Sequence, residues 1–181
     1  MNSGSKKTGD FAKFAVIGDP VSHSLSPKMQ NAAFHALGIM AEYEAVHVKT
    51  SGLAKFAKDS RDLYRGFNVT VPHKEGIIDF LDGISQNAEF ARSVNTVSNN
   101  DGKLFGESTD GTGLQNALIE KLEVRIEGNA FLFIGCGGAA KAAAVHFAGK
   151  GGASAIFFVN RTVSKAEELC AKIAASFPDT R

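Results

Sequence analysis

AFLFIGCGGAA, residues 130–140, runs five apolar residues into a glycine-rich turn and on into small residues of helical period. Strand, tight turn and helix start, in that order, are the context in which Gly135-Cys136-Gly137-Gly138-Ala139-Ala140 matches the G-x-G-x-x-A form of the dinucleotide fingerprint. The first glycine makes the turn, and the second lets the backbone approach a pyrophosphate. The helix start then offers unpaired N–H groups to the phosphates. Gly135, Gly137, Gly138 and Ala139 are therefore the candidate phosphate-binding residues. A bare glycine turn with no ligand has the same letters, and the flanking strand and helix favour the nucleotide. The next apolar run, Ala155 to Val159, ends at Asn160-Arg161-Thr162, with Lys165 one turn on. A site for NAD usually carries Asp or Glu there to bond the ribose. Arginine pairs instead with a 2′-phosphate that a carboxylate would repel. Asn160, Arg161, Thr162 and Lys165 complete the candidate cofactor set, and the expected cofactor is NADP.

Working outward, short runs rich in β-formers alternate with segments of helical period, the pattern of an α/β fold on a largely parallel sheet. Strands are expected at Phe14 to Gly18, Tyr43 to Val48 and Phe67 to Val71. Ser26-Pro27 reads as an N-cap and N1 proline for a helix closed by Gly38, and a second helix is expected from about Leu53 to Leu63. Residues Lys74 to Arg92 suggest two short helices, and Val94 to Phe105 a hairpin around Asn99-Asn100-Asp101-Gly102. After a helix near Leu114 to Leu122, the unit built on the fingerprint runs through helices at Gly138 to Gly149 and Ser164 to Ser176. The expected organisation is a flexible tail over residues 1–10, a mainly parallel α/β substrate domain over 11–109, and part of a Rossmann-type nucleotide domain over 110–181.

Composition narrows the function. The 181 residues are 44% hydrophobic, enough for a sizeable core, and 20 Lys and Arg stand against 19 Asp and Glu. No basic face for a phosphate backbone is implied, so nucleic acid is not an expected partner. Two cysteines form neither a disulfide framework nor a metal cluster, which suits a reducing cytoplasm. The polar first residues lack a secretory apolar region, no run approaches a membrane span, and a cytoplasmic location is expected.

Four loops carry the remaining chemistry. His23-Ser24-Leu25-Ser26-Pro27 puts two hydroxyls beside a helix N-terminus, a place that favours a small carboxylate, although Ser26 alone reads equally as a simple cap. Asn68-Val69-Thr70-Val71-Pro72-His73-Lys74 ends a strand on a turn, where open α/β sheets present ligand-binding groups, here Thr70 and Lys74. Val94-Asn95-Thr96 and Ser108-Thr109-Asp110-Gly111-Thr112-Gly113 add an amide and a carboxylate, the mixed donors and acceptors a polyol needs.

Taken in order from Phe14 to Phe177, these motifs resemble the shikimate dehydrogenase family. The resemblance implies that Ser24, Ser26, Thr70, Asn95 and Asp110 bind a shikimate-type small molecule. It also implies that Lys74 is catalytic, with Asp110 orienting Lys74 and a substrate hydroxyl. The implied reaction is reversible reduction of 3-dehydroshikimate to shikimate by NADPH, a step of aromatic amino acid biosynthesis. A quinate/shikimate enzyme of broader NAD(P) use is the alternative, since Leu25 stands where many relatives carry Lys. A second alternative is a non-catalytic shikimate-binding fragment. Family members continue past this sequence, completing the sheet and returning a helix to the substrate domain. The chain as given is therefore expected to be impaired as a monomer and open to self-association.

Overall fold

The computed structural model describes residues 11–181, and the tail expected over residues 1–10 lies outside them. The described chain packs as two compact units. The first takes the residues up to Asp82 together with Val97–Phe105, and the second takes Gly83–Thr96 and Gly106–Arg181. The expected boundary at 109 divides the sequence differently, because residues 83–96 and 106–109 stand before it but pack with the second unit.

In the first unit, β1 (Ala12–Gly18) pairs in parallel with β2 (Ala41–His47) on one side and β3 (Gly66–Val69) on the other. Ala15, Val16 and Ile17 of this central strand and Phe67 and Val69 of β3 are buried, as the near-continuous apolar run of a parallel strand requires. Between the strands run α1 (Ser26–Ala36) and α2 (Leu53–Leu63). The buried face of α2 is Leu53, Ala57 and Ser60, spaced by four and three residues, with Ser60 donating to the Ala57 carbonyl. Phe56 meets Phe67 edge-on at 5.1 Å.

Two local features differ from the sequence expectation. β3 stops at Val69 rather than Val71, since Pro72 has no N–H to continue a ladder and Val71 turns outward. The Lys74 to Arg92 stretch holds a 3-10 helix (Gly76–Phe80), a two-residue strand β4 (Gly83–Ile84) and α3 (Gln86–Ala91), so one of the two expected helices is 3-10 and the strand was not foreseen. The hairpin is β5 (Thr96–Asn100) and β6 (Lys103–Glu107), turning on Asp101 and Gly102 with φ of +54 and +86. Two successive positive φ values are what a tight hairpin turn demands. The sheet order is β2-β1-β3-β5-β6-β4.

The second unit holds α4 (Asp110–Leu122), β7 (Ala130–Ile134), α5 (Gly138–Ala148), β8 (Ala155–Val159) and α6 (Val163–Ser176). β7 and β8 pair in parallel, Ala130 opposite Ala155 through Ile134 opposite Val159. Seven consecutive residues of α5, Ala142 to Ala148, are buried, which makes this helix the centre of the unit and explains its small side chains. Phe147 fills the space beneath the sheet, 4.8 Å from Phe131 and 5.7 Å from Phe133 between ring centroids. The fold is α/β on mainly parallel sheet, and no helix among the described residues is long and apolar enough to cross a membrane.

Candidate active site

Parallel pairing of β1 with β3 brings their C-terminal ends to one edge of the first unit, and four candidate residues follow from those ends: Ser24, Ser26, Thr70 and Lys74. The two loops are tied by a bond from the Asp19 N–H to the Val71 carbonyl, 3.0 Å. At the start of α1 the capping expectation is corrected. Leu25 occupies the cap position in helical conformation, Ser26 and Pro27 are the first two helical residues, and no side chain caps the helix. The Ser24 hydroxyl instead accepts from the Ser26 N–H at 3.3 Å. The helix begins one residue early because Leu25 is already helical, so the Ser26 hydroxyl is not used as a cap.

Thr70 lies against a glycine that the motif reading passed over. A Cβ on Gly18 would sit 2.6 Å from the Thr70 methyl and 3.0 Å from the Val71 carbonyl, so only glycine lets the Thr70 turn close onto β1. The turn is then anchored by His73, which is 1% exposed and donates from Nε2 to the Val48 carbonyl at 2.5 Å. With His73 driven into the unit, Lys74 beside it stays half-buried at the rim. Two residues before Thr70, within β3, the Asn68 Oδ1 accepts from the Tyr43 hydroxyl at 2.7 Å. Burial pushes that hydroxyl up to about 12, so it remains a donor throughout the physiological range.

The second unit carries Asn95 and Asp110. Asn95 Oδ1 accepts from the Thr109 N–H at 3.0 Å, which fixes the amide so that Nδ2 donates to Asp110 Oδ1 at 2.6 Å. The sequence offers Asn95 and Asp110 as an amide and a carboxylate from two separate loops; their bond, and the part played by Thr109, come from this hydrogen-bond geometry.

The phosphate-binding candidates stand at the C-terminal ends of β7 and β8 in the same unit. Gly135 has φ of +104, a conformation that side chains rarely adopt, and its N–H bonds to the Val159 carbonyl at 2.7 Å. A Cβ on Gly137 would meet nothing in the protein, so the space above it is open to a ligand. α5 starts here with no side-chain cap, leaving the first-turn N–H groups of Gly138 and Ala139 for an anion. Cys136, between the glycines, turns inward and is 7% exposed; burial pushes its thiol up, and it acts as a small core residue. At the end of β8, Asn160 donates from Nδ2 to the Thr162 carbonyl at 2.7 Å, and Arg161 and Lys165 are exposed. No carboxylate stands at this strand end. These features fit a dinucleotide with an additional phosphate.

Comparison with known proteins agrees with this geometry. Residues 16–97 match the model of the shikimate dehydrogenase substrate binding domain, and residues 117–179 match that of shikimate / quinate 5-dehydrogenase. The chain belongs to the shikimate dehydrogenase family. It is 41% identical over 175 residues to the NADP(+) shikimate dehydrogenase of Geobacter sulfurreducens, covering 96% of this chain and 61% of that protein. Among solved structures, shikimate 5-dehydrogenase from Thermus thermophilus in complex with NADP(H) and shikimate is 38% identical with a TM-score of 0.82, covering 90% of this chain and 61% of that one. The Listeria monocytogenes shikimate 5-dehydrogenase in complex with shikimate and NAD is 37% identical with a TM-score of 0.88, covering 97% and 61%. The shikimate dehydrogenase fold is thus spanned for about three fifths of the length of these relatives.

Proposed function

We propose that the protein acts in the reversible reduction of 3-dehydroshikimate to shikimate with NADP as cofactor. Residues 11–109 are read as the shikimate-binding domain and 110–181 as the first part of the NADP-binding domain. The observation that carries the reading is the pairing, in one family member, of an open glycine turn followed by Arg161 with the Ser24, Thr70 and Lys74 loops. NADPH, when bound, supplies the hydride that the ketone carbon takes up. Gly135, Gly137, Gly138 and Ala139 hold its pyrophosphate, while Asn160, Arg161, Thr162 and Lys165 hold the adenosine end and its 2′-phosphate.

Lys74 donates a proton to the forming alkoxide, which becomes the new hydroxyl. In the reverse direction it accepts that proton from shikimate. Ser24 and Ser26 bind the substrate carboxylate at the start of α1, where the helix dipole favours an anion. Thr70, Asn95 and Asp110 bind substrate hydroxyls, and the Asn95 amide orients the Asp110 carboxylate by engaging one of its oxygens.

The test is shikimate-dependent NADPH formation by wild type, Lys74→Ala and Thr70→Ala. Lys74→Ala is expected to lose about a hundred-fold or more in turnover with substrate affinity nearly kept, and Thr70→Ala mainly to raise KM. Turnover by Lys74→Ala within a few-fold of wild type would remove Lys74 from the proton transfer. A second reading, quinate use with either NAD or NADP, is favoured by Leu25, 76% exposed at the cap of α1, where the family resemblance implies Lys in many members. Rates with quinate and with NAD decide between the two. Shikimate binding with no turnover selects a binding fragment.

A further inference from the structure

α4 opens on Asp110, and the next residue, Gly111, is buried. A Cβ on Gly111 would lie 2.4 Å from the His146 Cβ and 2.9 Å from the Ala142 carbonyl, so α4 touches α5 through bare backbone at that point. One turn on, Gln115 Oε1 faces His146 Nε2 at 2.5 Å. A carbonyl acceptor puts the proton on Nε2 and leaves Nδ1 as the lone pair. That Nδ1 is buried with no hydrogen-bond partner among the described residues, in a residue only 7% exposed. An apolar side chain would avoid the cost of burying such a group. The geometry that justifies keeping His146 is its double hold on α4. It backs Gly111 with its Cβ and Gln115 with its ring, two turns along the helix that starts at the phosphate-binding turn.

We propose that His146 is a positioning residue: through Gln115 and Gly111 it holds α4 against α5, so that Asp110, with Asn95 and Thr109, keeps a fixed register to the phosphate-binding turn Gly135–Gly138. The Asp110 carboxylate is bonded to Asn95 Nδ2, and Asn95 Oδ1 to the Thr109 N–H, so α4 carries this whole polar cluster with it. The consequence for ligand affinity rests on the reading of Asp110 as a shikimate-binding residue. The geometric part does not.

The test uses the chain as it is, with Gln115→Met, which keeps the length of the side chain but loses the acceptor, and Gln115→Glu, which keeps the acceptor. Without ligand, the side-chain NH2 resonances of Asn95 in a nitrogen-15 NMR spectrum report its bond to Asp110. They are expected to move in Gln115→Met and return in Gln115→Glu. By titration calorimetry, Gln115→Met should bind shikimate about ten-fold more weakly, the worth of one lost hydrogen bond. Gln115→Glu should stay near wild type, and NADP+ affinity should hardly change in either. Asn95 resonances unmoved in a folded Gln115→Met overturn the proposal. So does a shift that Gln115→Glu fails to reverse, and so does shikimate affinity equal in wild type and Gln115→Met. If wild type binds no shikimate, the functional reading of Asp110 fails, and the Asn95 resonances still decide whether His146 positions the cluster.

Discussion

Arg161 stands exposed at the end of β8 with Lys165 one turn away, and residues 155–166 contain no Asp or Glu. A guanidinium bonded to a 2′-phosphate contributes roughly 1.5–3 kcal/mol, so NADPH should bind about ten-fold to a hundred-fold more tightly than NADH. Arg161→Ala should bring the two affinities together, as read by fluorescence titration; equal affinities in wild type would remove the residue from cofactor choice. His146 allows a prediction in pH. Burial, and secondarily Lys150, hold its pKa below the ordinary 6.5. The folded state therefore binds fewer protons than the unfolded state once pH falls through 6.5, and stability must decline as pH drops below that value. The thermal midpoint is expected to fall between about pH 7.5 and about pH 5.5, and His146→Gln should flatten that dependence. A wild-type midpoint indifferent to this change would mean that His146 is charged, or equally solvated, in both states. Thr109, Gly18 and Gln115 were not legible as site residues, because the sequence does not show which residues they bond or pack against. Their roles arise from the 2.6 Å approach of Thr70 to the Gly18 position and from bonds to Asn95 and His146.

At the scale of elements, regular periods were legible and irregular joints were not. Leu53–Leu63, Ala130–Ile134 and Ala155–Val159 have the bounds that their apolar spacing implies. β4 has only two residues, too few to show a period, and the α1 cap depended on a helical φ at Leu25 that no letter specifies. The hairpin turn was legible from Asp101-Gly102, but its structural use was not. Asn99, before the turn, donates from Nδ2 to the carbonyls of Ser60, Arg61 and Tyr64 at 3.3, 2.8 and 2.7 Å, and its Oδ1 accepts from the Gly102 N–H at 2.8 Å. One amide thereby ties the hairpin to the C-terminus of α2, where the Ser60 carbonyl also accepts from the Tyr64 N–H at 3.0 Å. Arg61 reinforces the joint by donating to the carbonyls of Gly102 and Phe80 and to Asp82. Asn99→Ala removes the amide donor from the Arg61 and Tyr64 carbonyls and should cost about 2–3 kcal/mol, or several degrees in thermal midpoint. Differential scanning calorimetry measures this, and a shift under one degree would show that solvent replaces the amide without loss.

At the scale of the molecule, the two faces of the β7–β8 sheet contrast. One face, with Phe131, Phe133, Ile156 and Phe158, packs into the core around Phe147. The other presents Leu132, Ile134, Phe157 and Val159, exposed by 59, 85, 57 and 56%. Four large apolar side chains in one contiguous patch are unusual on a soluble surface and mark a face to be covered. At about 1–2 kcal/mol for each, covering the patch stabilises by roughly 4–8 kcal/mol per copy, or twice that for two copies face to face. Association itself costs about 4–15 kcal/mol, so the two contributions nearly balance. The expected outcome is weak, concentration-dependent self-association through this face. The edge of β8 is a poorer route, because the Ile156 N–H already donates to the Arg181 carbonyl and the Arg181 N–H to the Ser154 carbonyl, the bonding of a parallel pair. Sedimentation velocity across the micromolar to millimolar range should show the mean mass rising in wild type. Leu132→Glu combined with Phe157→Glu should hold it at the monomer, since a desolvated carboxylate in the contact costs more than the patch returns. A wild-type chain that stays monomeric throughout, or a double variant that associates as strongly as wild type, would place the contact elsewhere and leave the exposed face without a partner among copies of this chain.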